Sequence, residues 1–299
     1  MKTFMFVMLM MIVSIIPVSA GAKLMVVGTL PDFASMAEEI GGERVSTISL
    51  IKGTQDPHFV DAKPSMILEV NKADLLICIG MGLEDGWLPI LLSQSRNGKV
   101  QKGSQGFLDA SEFIQPLEVV SNPDRSMGDV HGSGNPHYYN SPVEMLKVAE
   151  GIYLKLKALD PKGTAIYDAN WKRFSERYMK KLGEWNAVLA PFKGTKVIEY
   201  HKSWIYLLDW SGYVSAGTLE PVPGIPPSPG HVITLLNTVK GQNVKFVIQE
   251  VYQPTRLSNL FAEKSGARLL ILPSMVGAEK GIVTIFDKFD RIVSMLSMN

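Results

Sequence analysis

One long helical region, from Pro142 to Leu189 and broken only at Asp160-Pro161, divides this 299-residue chain into two stretches in which strand and helix alternate. In its second part Tyr167, Trp171, Phe174, Tyr178, Leu182 and Trp185 recur at three- and four-residue steps, which places them on one face of a helix over 163–189. Lys172, Arg173, Arg177, Lys180 and Lys181 then read as the solvated face of that helix. Before this region, apolar runs at 24–27, 45–51 and 74–80 alternate with helical patterns at 31–40, 64–70 and 87–94. After it, runs at 196–200, 244–249 and 268–272 alternate with helical patterns at 203–210, 232–239, 254–265 and 286–298. Short strands that are apolar on both faces, separated by helices, require a parallel sheet covered on both sides. The expected fold is therefore α/β: two (βα)-type lobes with parallel-rich sheets, joined by one long helix. The lobes fall at 21–160 and 192–299, with the linker helix at 161–191.

Residues 1–20 read as a secretory signal. Lys2 is followed by an almost wholly apolar run from Phe4 to Ile16 and by Val18-Ser19-Ala20, a small-residue cleavage site. The segment is short for a spanning helix, and no later stretch has the roughly 20 apolar residues that one needs. No cysteine stands at the cleavage site to carry a lipid, so an exported, soluble, periplasmic chain is expected. Removing the signal takes away Lys2 alone, and the formal net charge of +1 becomes 0. Nothing in that balance calls for nucleic acid or an anionic membrane surface. The single cysteine, Cys78, lies inside an apolar run and reads as a buried, unreactive thiol.

The chemistry is concentrated in histidine, of which the chain has five. His58 ends Gln55-Asp56-Pro57-His58, and His137 sits in Gly134-Asn135-Pro136-His137-Tyr138-Tyr139, in a loop rich in Gly, Ser, Asn and Asp. Each follows a proline, which fixes its own φ and restricts the residue before it, so both emerge from stiffened loops. His201 follows the apolar run Val197-Ile198 and opens a helix. Imidazole is the commonest metal ligand, and ligands gather at the carboxyl ends of strands in α/β sheets. His58, His137 and His201 are the candidate metal ligands. The loop residue His131 is read as solvated, and His231, after Pro229-Gly230 at a helix start, as a structural hydrogen-bonding residue.

Asp56-Pro57-His58, Gly134-Asn135-Pro136-His137 and Tyr200-His201-Lys202-Ser203-Trp204 resemble, in order, the three ligand motifs of the zinc/manganese solute-binding proteins of ABC importers (cluster A-I). Residues 220–231 resemble that family's rigid loop in the second lobe, and Phe246-Val247-Ile248-Gln249-Glu250 is similar to it as well. The resemblance implies a long rigid helix between the lobes and metal in the cleft, with His58 and His137 from the first lobe and His201 from the second. It also implies a monomeric carrier that delivers a divalent metal ion to a cognate ABC permease in the inner membrane.

Many members of that family supply a carboxylate shortly before the last helix. Here Pro273-Ser274-Met275 offers none. The fourth ligand is then water, or a carboxylate from elsewhere such as Glu250; water is the preferred expectation, with Glu250 as an outer partner of the site. Three imidazoles with at most one oxygen suit zinc better than manganese. Three histidines and a water are also the metal shell of zinc hydrolases. No HExxH, GxSxG or comparable catalytic signature accompanies them, so a binding component is expected rather than an enzyme.

Overall fold

The computed structural model describes residues 23–298 except 123, 125, 126, 129 and 130. The expected signal segment 1–20 lies outside the described residues.

The first half runs β1 (Leu24–Gly28), α1 (Pro31–Gly41), β2 (Val45–Ser49), α2 (Pro64–Lys72), β3 (Leu75–Cys78), α3 (Leu88–Ser95) and β4 (Phe107–Asp109). Two helices follow, α4 (Pro142–Leu159) and α5 (Thr164–Leu189). The second half runs β5 (Lys196–Glu199), α6 (Ile205–Ser211), β6 (Val214–Thr218), α7 (Pro229–Thr238), β7 (Val244–Glu250), α8 (Arg256–Ser265), β8 (Arg268–Leu272) and α9 (Ile285–Leu296). Proline stands at the first or second position of α1, α2, α3, α4 and α7, where its missing N–H costs no helical bond. Thr284 and Asp287 form a reciprocal capping box at the start of α9.

Each half holds a four-stranded, wholly parallel sheet, in the orders β2-β1-β3-β4 and β6-β5-β7-β8. Val26 is in register with Thr47 on one side and Leu75 on the other, while Val247 pairs with Ile198 and Leu269. The two orders are the same topology used twice, although the sequence carries no repeat that announces it. β4 and β6 do not emerge from the apolar pattern. Both are edge strands: β4 has three residues, and β6, Val-Ser-Ala-Gly-Thr, leaves its first two residues exposed. An edge strand buries less surface and needs fewer apolar side chains.

In α/β sheets of this order the crevice between β1 and β3 is the usual ligand position. Here the protein fills it itself. The fully buried Glu84 accepts the Thr29 hydroxyl at 2.7 Å and the N–H groups of Ile79 and Gly80 at 2.7 and 3.1 Å. Burial pushes its carboxyl up to about 7, against the pull of those donors.

The aromatic face expected for the long helix is present. Tyr167, Phe174, Tyr178 and Trp185 of α5 are buried. Phe174 and Tyr178 each lie 5.4 Å from Phe286 of α9, and Trp185 lies 5.5 Å from Phe289. Lys172 and Lys180 remain exposed beside Glu176 and Glu184 one turn on, while Lys181 and Trp185 both donate to Asp290. Thus α5 packs on α1 and α4 of the first half and on α9 at the end of the chain. Among the described residues no helix is long and apolar enough to cross a membrane.

Candidate metal centre

His58 lies in the loop between β2 and α2. Pro57, just before it, is anchored from beneath, where its carbonyl accepts the indole N–H of buried Trp87 at 3.0 Å. A Cβ at Gly53, in the same loop, would collide with the carbonyl of Val276, so the loop rests directly on the segment after β8. Asp56 Oδ1 then accepts two groups from His58, the backbone N–H at 3.0 Å and the ring Nδ1 at 2.8 Å.

His137 repeats this construction. Asn135 Oδ1 accepts its backbone N–H at 3.0 Å and its ring Nδ1 at 2.9 Å. The side chain is buried in the helical turn His137–Asn140 that leads into α4, and so at no strand end. Tyr138 fastens that turn to the first sheet through its hydroxyl, which donates to the Ile79 carbonyl at 2.6 Å.

His201 follows β5 by two residues, and its Nδ1 faces Glu220 Oε2 at 2.7 Å. The two halves are stitched around it. Asn135 Nδ2 donates to the Lys202 carbonyl at 2.8 Å, and Asn140 Nδ2 to the Ser203 carbonyl at 3.0 Å. The Tyr206 hydroxyl receives the Leu117 N–H and donates to the Asn135 carbonyl, both at 2.9 Å.

The three rings form a nearly equilateral triangle. Centroids are 5.1 Å apart for His58 and His137, 5.4 Å for His58 and His201, and 5.2 Å for His137 and His201. One ring nitrogen of each lies within 4.8 Å of the other two. Because every Nδ1 is engaged by Asp56, Asn135 or Glu220, the Nε2 atoms are left to face the common point; those of His58 and His137 are buried with no hydrogen-bond partner. Neutral imidazoles oriented through Nδ1 are the form that binds metal through Nε2. Burial, reinforced by any positive charge on His58, His201 or His131, holds His137 well below the usual imidazole range and keeps it neutral. Burial works to raise the Asp56 carboxyl, but the bonds from His58 outweigh it and leave Asp56 below its ordinary value, as an anion. Two outer carboxylates, Asp56 and Glu220, therefore stand behind the three rings. An ion of charge +2 would be balanced there, and no other group of three His, Cys, Asp or Glu side chains among the described residues converges in this way. A hollow of about 760 Å³ beside Glu84, Lys102 and Asp109 lies in the first half and shares only His131 with the wall of the cleft that holds His137 and His201.

Two expectations need correction. His131 is not a solvated loop residue: it is half-buried, with its ring 5.8 Å from that of His58. The composition of its loop reads as polar and open, whereas the histidine turns in over the cleft. Glu250 is not the outer partner of a ring, since Asp56, Asn135 and Glu220 already hold all three Nδ1 atoms. It lies fully buried at the end of β7, and burial pushes its carboxyl up to about 8. His231 does have a structural bond, from its Nε2 to the Thr218 carbonyl at 3.1 Å. Pro273, Ser274 and Met275 are all buried, and next to them the Val276 N–H donates to Asp32.

The chain matches the model of the family described as "Zinc-uptake complex component A periplasmic" (ZnuA) over residues 26–296. The high-affinity zinc uptake system protein ZnuA of Bacillus subtilis is 25% identical over 268 residues, 88% of this chain and 82% of its own. The manganese-binding lipoprotein MntA of Halalkalibacterium halodurans is 24% identical, covering 99% of this chain and 100% of its own. Against the manganese ABC transporter substrate-binding lipoprotein scaA of Streptococcus gordonii, 25% identity extends over 162 residues, and the chain spans about half (49%) of that relative. A crystal structure of ZnuA shares the fold, with a TM-score of 0.76 at 24% identity over 92% of this chain and 98% of that one. A zinc-bound ZnuA lacking residues 138–173 gives the same TM-score at 26% identity, over 92% and 97%.

Proposed function

We propose that this chain, which belongs to the zinc-uptake complex component A periplasmic family, captures zinc through His58, His137 and His201 and delivers it to a membrane permease of the ABC type. The family is one of metal-binding transport components and not of enzymes, and nothing among the relatives favours the hydrolase alternative. Relatives named for zinc and for manganese both occur, so the choice of metal rests on the donor set. Three imidazole nitrogens are a zinc-like set, whereas manganese favours oxygen ligands. The fourth position is open to water, in keeping with the absence of a carboxylate at Pro273–Met275.

The observation that carries this reading is that three rings come together with one nitrogen each within 4.8 Å of the others, every ring being held from behind through Nδ1. In our reading residues 21–160 and 192–299 act as the lobes and 161–191 as a strut between them, in a protein exported by residues 1–20 and working as a monomer. The hydrogen bonds from Asn135 and Asn140 to Lys202 and Ser203 support small motions around the ion rather than wide closure.

Equilibrium competition against a chromophoric chelator tests the assignment. Zinc is expected to bind with one site per chain and more tightly than manganese. His137→Ala and His201→Ala should each weaken it by at least about 100-fold, the loss of a direct ligand exceeding that of an outer partner. Retention of wild-type affinity in both variants would refute the site.

A further inference from the structure

Glu220 does more than orient one ring. Its Oε2 accepts His201 Nδ1 at 2.7 Å and also the backbone N–H of Gly224 at 2.9 Å. Its own N–H donates to the Tyr200 carbonyl at 3.0 Å, and the N–H of Leu219 donates to the Glu199 carbonyl at 2.8 Å. The chain just after β6, which carries the carboxylate, is thus fixed to the chain at the end of β5, which leads into His201.

The segment that follows, Pro221-Val222-Pro223-Gly224-Ile225-Pro226-Pro227-Ser228-Pro229, has few hydrogen bonds to the described residues around it. Its prolines have no N–H to donate. The Ile225 N–H closes a local turn on Val222, and the Ser228 hydroxyl caps α7, while the bond from Gly224 to Glu220 ties the middle of the segment to the metal centre. This segment forms the rim of the cleft. Pro221 and Pro223 line the side that holds His137 and His201, while Gly224 and Pro226 line the side that holds His58. Ile225 is half exposed. Across the cleft, Gly128 of the first half packs so closely on Pro223 that a Cβ there would strike its carbonyl.

We infer that Glu220 is a positioning residue that makes the conformation of the 221–229 rim depend on whether metal sits at His201. This rests on the reading of the three histidines as metal ligands. A cation on Nε2 polarises the imidazole and strengthens the Nδ1–H···O bond to the carboxylate. The carboxylate oxygen so fixed is the one that holds Gly224. Occupancy of the buried centre is thereby transmitted, through one oxygen atom, to a surface segment that bridges the cleft.

Hydrogen exchange read by mass spectrometry, with and without saturating zinc, tests this on the full chain alongside the competition assay. In the wild type, zinc should slow exchange of the amides of 222–225 by roughly tenfold. Glu220→Ala should still bind zinc, about 10–100-fold more weakly, yet at saturation its 222–225 exchange should no longer respond. Glu220→Gln keeps an oxygen that accepts both N–H groups and should restore the response. Zinc bound by the wild type without protection of 222–225 overturns the proposal and leaves the three-histidine centre standing. A Glu220→Ala variant that responds like the wild type overturns it equally. Absence of any zinc binding to the wild type overturns both. Should Glu220→Ala fail to fold, the wild-type and Glu220→Gln responses still decide: both must appear, and loss of either counts against the proposal.

Discussion

Lys288, near the end of the chain, donates to Asp32, near its beginning, at 2.7 Å, and neither side chain is exposed to solvent. Lys288 also donates to the Tyr139 carbonyl at 2.7 Å, while the other Asp32 oxygen accepts the Val276 N–H at 3.0 Å. One buried pair thus joins α1, α9, the segment after β8 and the turn that carries His137. Burial pulls the Lys288 ammonium down, and Asp32 opposes the fall.

Removing one partner strands the other charge in the interior. Lys288→Met is expected to destabilise the protein by about 3–5 kcal/mol. The double variant Lys288→Met/Asp32→Leu should recover part of that loss, because neither charge is then left unpaired. Thermal unfolding of the two variants checks this, and equal stability of Lys288→Met and wild type would contradict it.

Asp56-Pro57-His58 and Asn135-Pro136-His137 use one device, an Asx oxygen that holds both the backbone and the ring of the histidine two residues on. Asp56→Ala should lower zinc affinity about 10–100-fold. Asp56→Asn should lose less, because the amide oxygen can accept the same two bonds, as it does at Asn135. Competition titrations of the pair decide it, and an Asp56→Ala affinity equal to the wild type would show the bond to be idle.

Glu250 predicts a pH effect of the opposite kind from an ordinary surface carboxylate. Burial, with Asp56 and Glu199 adding to it and the Ser203 hydroxyl opposing, pushes it up to about 8 in the folded protein. The unfolded chain gives up that proton near ~4.3. Between those values the folded state binds more protons, so this group's contribution falls as pH rises and levels off above about 8. Glu250→Gln should therefore gain on the wild type from pH 5 to 8, by on the order of 1–3 kcal/mol at the upper end. Unfolding curves at several pH values measure the difference, and a gain that shrinks with rising pH would be the wrong sign.

Much of the architecture is legible in the residues because the breaks are written there. Pro142 opens α4 and Asp160-Pro161 closes it, and α5 keeps its aromatic face along most of its length. The edge strands β4 and β6 are not legible, since their stability comes from neighbours rather than from their own side chains. At the metal centre the same contrast holds. The prolines before His58 and His137 draw attention to both, and the Asx residues at 56 and 135 stand beside them in plain view. Glu220 carries no local signal, because its relation to His201 exists only once β5 and β6 lie side by side. His131 misleads for a related reason: a polar loop looks solvated until folding brings its histidine against His58.

In the proposed centre three imidazoles distant in sequence hold one ion. An anomalous difference map at the zinc edge, from crystals of the metal-loaded protein, would locate that ion. A single strong peak is expected within about 2.0–2.1 Å of the Nε2 atoms of His58, His137 and His201. A peak that excludes any of the three, or one bonded chiefly to carboxylates, would contradict it.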